Sequence, residues 1–159
     1  MSSRSATRQL WLVVGVFAAL GAALGVVSYA ATDWARVQFA SAASGATLAE
    51  FGPVFVSLSA FQTTVTLFLA GPVVGTVVGV LVGSRFLDWR LAGGVAGGGS
   101  LVGFFVMAGL GTFGLSLVGG PGTEQIYAVD QAIGPLLVAG VATGVVGGVS
   151  GLLGSAFVR

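Results

Sequence analysis

Long uncharged apolar stretches alternate with short polar segments along the whole chain. Each apolar stretch exceeds the roughly 20 residues that cross about 30 Å of hydrocarbon as an α-helix. Charged residues collect between these stretches and do not interrupt them, as expected for spans joined by short loops. The pattern predicts an all-α membrane protein, a four-helix transmembrane bundle that forms one domain over residues 1–159, with spans at about 10–31, 53–84, 91–118 and 131–158.

The composition supports this prediction and narrows the chemistry. Of the 159 residues, 55% are hydrophobic and 7% are charged, whereas soluble domains carry about 25% charged residues. The chain has no Cys, no His and no Lys, which removes the thiolate nucleophile, the imidazole base or metal ligand, and the Schiff-base amine. We therefore expect a protein that is not an enzyme and that holds no cofactor and no metal. The Lys-free, Gly-, Ala- and Val-rich composition resembles that of membrane proteins from halophilic archaea, which implies such an origin.

The arginines lie mostly on one side of the predicted spans. Arg36 is on one side, and the other five are on the opposite side: Arg4, Arg8, Arg85, Arg90 and Arg159. By the positive-inside rule, this pattern predicts a multi-pass protein of the cell membrane with both termini in the cytoplasm. Trp11 and Trp34 would then lie at the two interfaces, since their separation corresponds to about 35 Å of helix.

The first 30 residues also have features of a signal peptide. Arg4 and Arg8 form a basic start, and Ser28, Tyr29 and Ala30 resemble a cleavage site with small residues. The apolar region between them, about 19 residues, is longer than the 7 to 15 residues typical of such peptides. A retained first span is therefore favoured over a cleaved one.

Glycines recur every four residues in two of the spans. Such a spacing places them on one helical stripe, where another backbone can approach closely, and it predicts glycine-zipper packing. Two partners for the stripes are open: helices of the same bundle, which we favour because all four spans carry glycines, or other subunits of a homo-oligomer. The stripes are Gly71, Gly75, Gly79 and Gly83 in the second span, and Gly140, Gly144 and Gly148 in the fourth.

One polar face lies inside the second span. Ser59, Gln62, Thr63 and Thr66 are spaced i, i+3, i+4 and i+7 and so share one side of a helix. An amide facing hydrocarbon would leave donors and acceptors unpaired, so we expect Gln62 to face the bundle, a water-filled cavity or a partner protein. The face is a candidate pore lining or partner contact. The favoured interpretation is simpler: the hydroxyls bond to their own helix and Gln62 joins two helices.

Two further local features are predicted. Pro72 lies within the glycine stripe and lacks an amide hydrogen, so it should free the carbonyl of Phe68 and kink the second span. Arg85 and Asp88 are expected to form a weak, solvated pair near a helix end.

These features favour a non-catalytic integral membrane subunit or scaffold that associates through glycine-rich helix faces. The alternative is a small homo-oligomeric channel or passive permeation pathway lined by the polar face of the second span. No predicted span carries a charged residue at mid-membrane, which argues against transport coupled to a buried carboxylate. The expected partners are the lipid bilayer and other membrane subunits or copies of the chain, with no nucleic acid.

Overall fold

The computed structural model describes residues 3–35, 37–38, 46–117 and 129–158. This part of the chain contains four helices, each long and apolar enough to cross a membrane. The prediction of an all-α chain with four membrane-length helices is therefore confirmed. The helices are α1 (Ser3–Ala35), α2 (Ala46–Gly83), α3 (Trp89–Ser116) and α4 (Val129–Ala156).

The first and third helices run parallel. Val13 lies against Gly99, and one turn further along both helices Phe17 lies against Gly103. Beyond them, a Cβ built at Gly21 would come 2.6 Å from the backbone of α3. The small glycine surface therefore lets α1 pack closely on α3 over several turns.

The fourth helix packs against both α2 and α3. It runs parallel to α2, since Gly71 lies against Thr143 and Gly79 against Gly147. It runs antiparallel to α3, where Gly97 approaches both Gly144 and Gly148. In the described part of the chain, α1 and α4 do not contact each other. The bundle is thus rhombic in section, with α2 and α3 in contact at its centre.

Large side chains fill the spaces that the glycines leave. Phe17, Leu67, Phe104 and Met107 are completely or almost completely buried. The ring of Phe68 stacks on Phe104 with 6.4 Å between centroids, which joins α2 to α3. The core therefore alternates bulky residues with backbone-to-backbone contacts, which is how helices pack when lipid removes the hydrophobic drive to associate.

The turn between α2 and α3 is held by specific contacts. The Asp88 carboxylate accepts a hydrogen bond from the amide of Arg90 at 2.9 Å and so caps the start of α3. The guanidinium of Arg85 donates to the side-chain oxygen of Gln9 at 3.4 Å. The expected pair is thus replaced by two other contacts, because the first-turn amides of α3 offer Asp88 a nearer donor.

Candidate functional site

The predicted polar face lies on the surface of the bundle. Gln62 and Thr66 are exposed and Thr63 is half-buried, whereas the side chain of Ser59 lies outside the described residues although its backbone belongs to α2. The hydroxyl of Thr66 donates to the carbonyl oxygen of Gln62 at 2.8 Å. That hydroxyl is therefore satisfied within its own helix. Among the described side chains of this face, the carboxamide of Gln62 is an exposed polar group.

The glycine stripe of α2 lies on the opposite side of the helix. Gln62 and Gly71 are nine residues apart, or about two and a half turns, so their Cα–Cβ directions differ by about half a turn. Gly71 is buried against Phe104 and Thr143. Gln62 is exposed and therefore points away from the bundle interior.

The four glycines of the α2 stripe approach α4 in sequence. A Cβ built at Gly75 would lie 3.1 Å from the carbonyl oxygen of Thr143, and one at Gly79 would lie 2.5 Å from that of Gly147. A Cβ at Gly83 would collide with the backbone of Gly151. Backbone atoms cannot move aside as side chains can, so these positions exclude any larger residue without a shift of α4.

The α4 stripe has a different neighbour. A Cβ built at Gly140 would meet the ring of Phe105, and one at Gly144 would meet the side chain of Leu101, both on α3. The contacts with α2 are made instead by other α4 residues: Thr143, Gly147, Ser150, Gly151 and Gly154. The two predicted stripes therefore do not face each other.

Pro72 is half-buried and lies inside α2. The hydroxyl of Thr76 donates to the carbonyl oxygen of Pro72 at 2.8 Å, which gives that carbonyl a partner within the helix. The kink at Pro72 stays a prediction.

The exposed polar residues of α2 belong to one surface strip that also contains apolar residues. Gln62, Thr66, Leu69, Val73 and Thr76 are all exposed and follow one another at intervals of four, three, four and three residues. We call these five residues the α2 outer strip. This is the spacing by which one helix packs along another in a left-handed pair. Leu69 and Val73, at 67% and 64% exposure, form its apolar centre.

The outward faces of α2 and α4 differ in chemistry. Among the described side chains of α4, which begin at Ile133, the large exposed residues are all apolar, and lipid chains can cover them at no electrostatic cost. They are Ile133, Leu137, Val138, Val141, Val145, Val149 and Leu153. The α2 outer strip instead carries the carboxamide of Gln62, with two donor hydrogens and one acceptor oxygen that hydrocarbon cannot satisfy. Of these two surfaces, as far as the structure describes their side chains, the α2 strip is the one that exposes an amide.

Other polar groups lie inside the bundle at positions that the sequence pattern did not predict. Ser100 and Thr143 are completely buried. Thr143 donates to the carbonyl oxygen of Ala139 at 2.7 Å, whereas the hydroxyl of Ser100 has no hydrogen-bond partner and lies against Gly147. A lone hydroxyl in a run such as Gly98–Gly99–Ser100 gives no periodic signal, so only the packing identifies it.

The described residues contain no group of three or more His, Cys, Asp or Glu that could hold a metal ion. Comparison with protein-family models, curated proteins and solved structures finds no match to this chain.

Proposed function

We propose that this protein is a non-catalytic subunit or scaffold of a membrane assembly, and that it binds its protein partner through the α2 outer strip. The observation that carries this proposal is the outward direction of Gln62. A carboxamide facing lipid is costly, and a helix of another subunit can remove the cost by hydrogen bonding to it. The apolar centre of the strip, Leu69 and Val73, would add close packing.

The glycine-rich faces have a separate role in this proposal. We propose that they act as glycine zippers that hold the four spans together, so that the bundle is a rigid platform. The close approach of Gly79 to Gly147 and of Gly97 to Gly144 supports this role. Since these faces are covered within the chain, association with a partner has to use another surface.

We also propose that both termini lie in the cytoplasm and that the protein resides in the cell membrane. The distribution of arginines supports this orientation. The start of α1, the turn at Ser84–Arg85 and the end of α4 lie at one end of the bundle, since Arg85 reaches Gln9 and Gly154 lies beside Ser84. Arg8, Arg85 and Arg90 are exposed there, in positions to meet anionic headgroups.

A second candidate is a homo-oligomeric channel in which copies of the α2 outer strip surround a pore. The exposure of Gln62, Thr66 and Thr76 on one side of α2 favours it. However, Leu69 and Val73 interrupt the polar groups over the roughly 15 Å between Thr66 and Thr76. Both threonine hydroxyls also donate to their own helix, which leaves little polarity for a permeating ion. We therefore place the channel second.

The proposal is tested by replacing Gln62 with Leu, with Thr66→Val as the matched control. Native mass spectrometry of the protein extracted gently from its own membrane reports its complexes. We expect Gln62→Leu to lower the fraction of protein found in a complex, because it removes the hydrogen-bonding group of the interface. Thr66→Val should leave that fraction nearly unchanged, since its hydroxyl is already satisfied within α2.

Each outcome has a distinct meaning. A wild-type protein found only as a monomer would contradict the subunit proposal. Complexes that persist in Gln62→Leu would remove Gln62 from the interface. A permeability of wild-type protein in vesicles that Gln62→Leu abolishes, with the complex intact, would favour the channel instead.

A further inference from the structure

We infer that the partner of the α2 outer strip is the same strip of a second copy of this chain. This inference rests on the proposed function and specifies the partner at the same surface. It follows from three features of the strip: its orientation in the bilayer, the chemistry of Gln62, and the spacing of the exposed residues.

Membrane insertion restricts how two copies can meet. Copies of one protein insert in the same orientation, so two of them are related by an axis along the membrane normal. Two α2 helices in contact across this axis run parallel, and each residue lies at the same depth as its own counterpart. Gln62 of one copy therefore meets Gln62 of the other.

The chemistry of Gln62 suits this meeting. A carboxamide has both a donor group and an acceptor oxygen, so two of them can bond to each other in a symmetric pair. A carboxylate or an ammonium group at this position would repel its own counterpart. Gln62 is therefore complementary to itself, and no second kind of polar residue is needed on the partner.

The remaining residues of the strip extend the contact. Leu69 and Val73 follow Thr66 in the four-three pattern, and they are among the more exposed described apolar residues of α2. In parallel helix pairs, a single amide within the seam between the helices sets their alignment. Gln62 takes this position at one end of the seam, and Leu69 and Val73 provide its packing.

The experiment uses single cysteines, because the chain has none of its own. Leu69→Cys places a thiol in the seam. Val141→Cys is the matched control. Gly71 of α2 lies against Thr143 of α4, and the two helices run parallel. Leu69 and Val141 lie two residues before these two contact residues, so the two thiols lie at the same depth. Both positions are exposed, at 67% and 54%, so neither substitution disturbs the core.

Native membranes holding each variant are oxidised with copper phenanthroline and analysed on non-reducing gels. We expect a disulfide-linked dimer from Leu69→Cys and only collisional background from Val141→Cys. Adding Gln62→Leu to the Leu69→Cys variant should weaken self-association roughly five- to tenfold, the effect of one interhelical amide hydrogen bond in a membrane. Adding Gln62→Asn, which keeps an amide, should weaken it less.

The results separate this inference from the proposed function. Equal dimer yields from Leu69→Cys and Val141→Cys, or no dimer from Leu69→Cys, would overturn pairing with a second copy. If native mass spectrometry then still gave a complex that Gln62→Leu disrupts, the partner would be a different protein and the subunit proposal would stand. If it gave a monomer, both would fail.

Discussion

Ser100 is a residue at which burial and polarity conflict. It is completely buried in α3, and its hydroxyl lies against Gly147 without a hydrogen-bond partner. A buried hydroxyl with no partner destabilises the folded state by about 1 to 3 kcal/mol. The small volume of serine is nevertheless required here, because α4 approaches α3 closely at Gly147.

We predict that Ser100→Ala leaves the bundle as stable as the wild type or more stable by about 1 kcal/mol. Alanine keeps the small volume and removes the unpaired hydroxyl. Thermal unfolding of the purified protein in detergent measures the effect. Thr143→Val is the control, since the hydroxyl of Thr143 bonds to Ala139 and its loss brings no such relief. A lower midpoint for Ser100→Ala than for Thr143→Val would mean that the Ser100 hydroxyl makes a stabilising contact.

At Gln62, the sequence identifies the residue, and its direction depends on packing. The spacing of Ser59, Gln62, Thr63 and Thr66 shows that they share a face, but either side of α2 could have faced the interior. The nine-residue separation from Gly71 relates the two directions: if the glycine stripe packs inward, Gln62 points outward. The interpretation that Gln62 joins two helices stays a prediction, and the structure describes the side chain as exposed on the surface of α2.

Helix packing at the level of single elements is controlled by where a Cβ can fit. The methyl group of Gly79→Ala would lie 2.5 Å from the backbone oxygen of Gly147, so α2 and α4 would have to separate. The methyl group of Gly98→Ala would meet nothing within 4 Å, because this position of α3 faces outward. The two substitutions are chemically identical and differ only in what surrounds them.

We therefore predict opposite effects on stability. Gly79→Ala should lower the free energy of unfolding by about 1 to 3 kcal/mol, the usual effect of overpacking. Gly98→Ala should be neutral or stabilising by up to about 1 kcal/mol, because alanine favours a helix over glycine. Unfolding in a denaturing detergent, followed by circular dichroism, compares the two variants with the wild type. Similar losses in both would show that the α2–α4 approach is looser than the distances indicate.

The pairing of elements was not available from the sequence. All four spans carry glycines, so the pattern allowed many combinations. Gly140 and Gly144 contact α3, whereas Gly147 contacts both α2 and α3. A helix with small residues on two adjacent stripes can pack on two neighbouring helices, and the sequence does not show which stripe contacts which helix.

At the scale of the whole molecule, the sequence predicted the number and the length of the helices. Four uncharged stretches longer than a bilayer requires predict four membrane-length helices, and the described part of the chain contains four. The order of the helices around the bundle, with α2 and α3 between α1 and α4, came only from the packing. The end of the bundle at the α2–α3 turn is filled by Phe86, which is almost completely buried.

The orientation of the molecule in the membrane is the last prediction. Ser84 is exposed in the turn that lies beside Gln9 and Gly154. Leu117 is exposed just after the end of α3, at the opposite end of the bundle. Because the chain has no cysteine, Ser84→Cys and Leu117→Cys each provide a single reactive site. If the positive-inside rule holds, a membrane-impermeant maleimide should label Leu117→Cys in intact cells and Ser84→Cys only in inverted vesicles. The reverse pattern would place both termini outside the cytoplasm, and the exposed arginines around the turn would then not be those that meet the anionic inner leaflet.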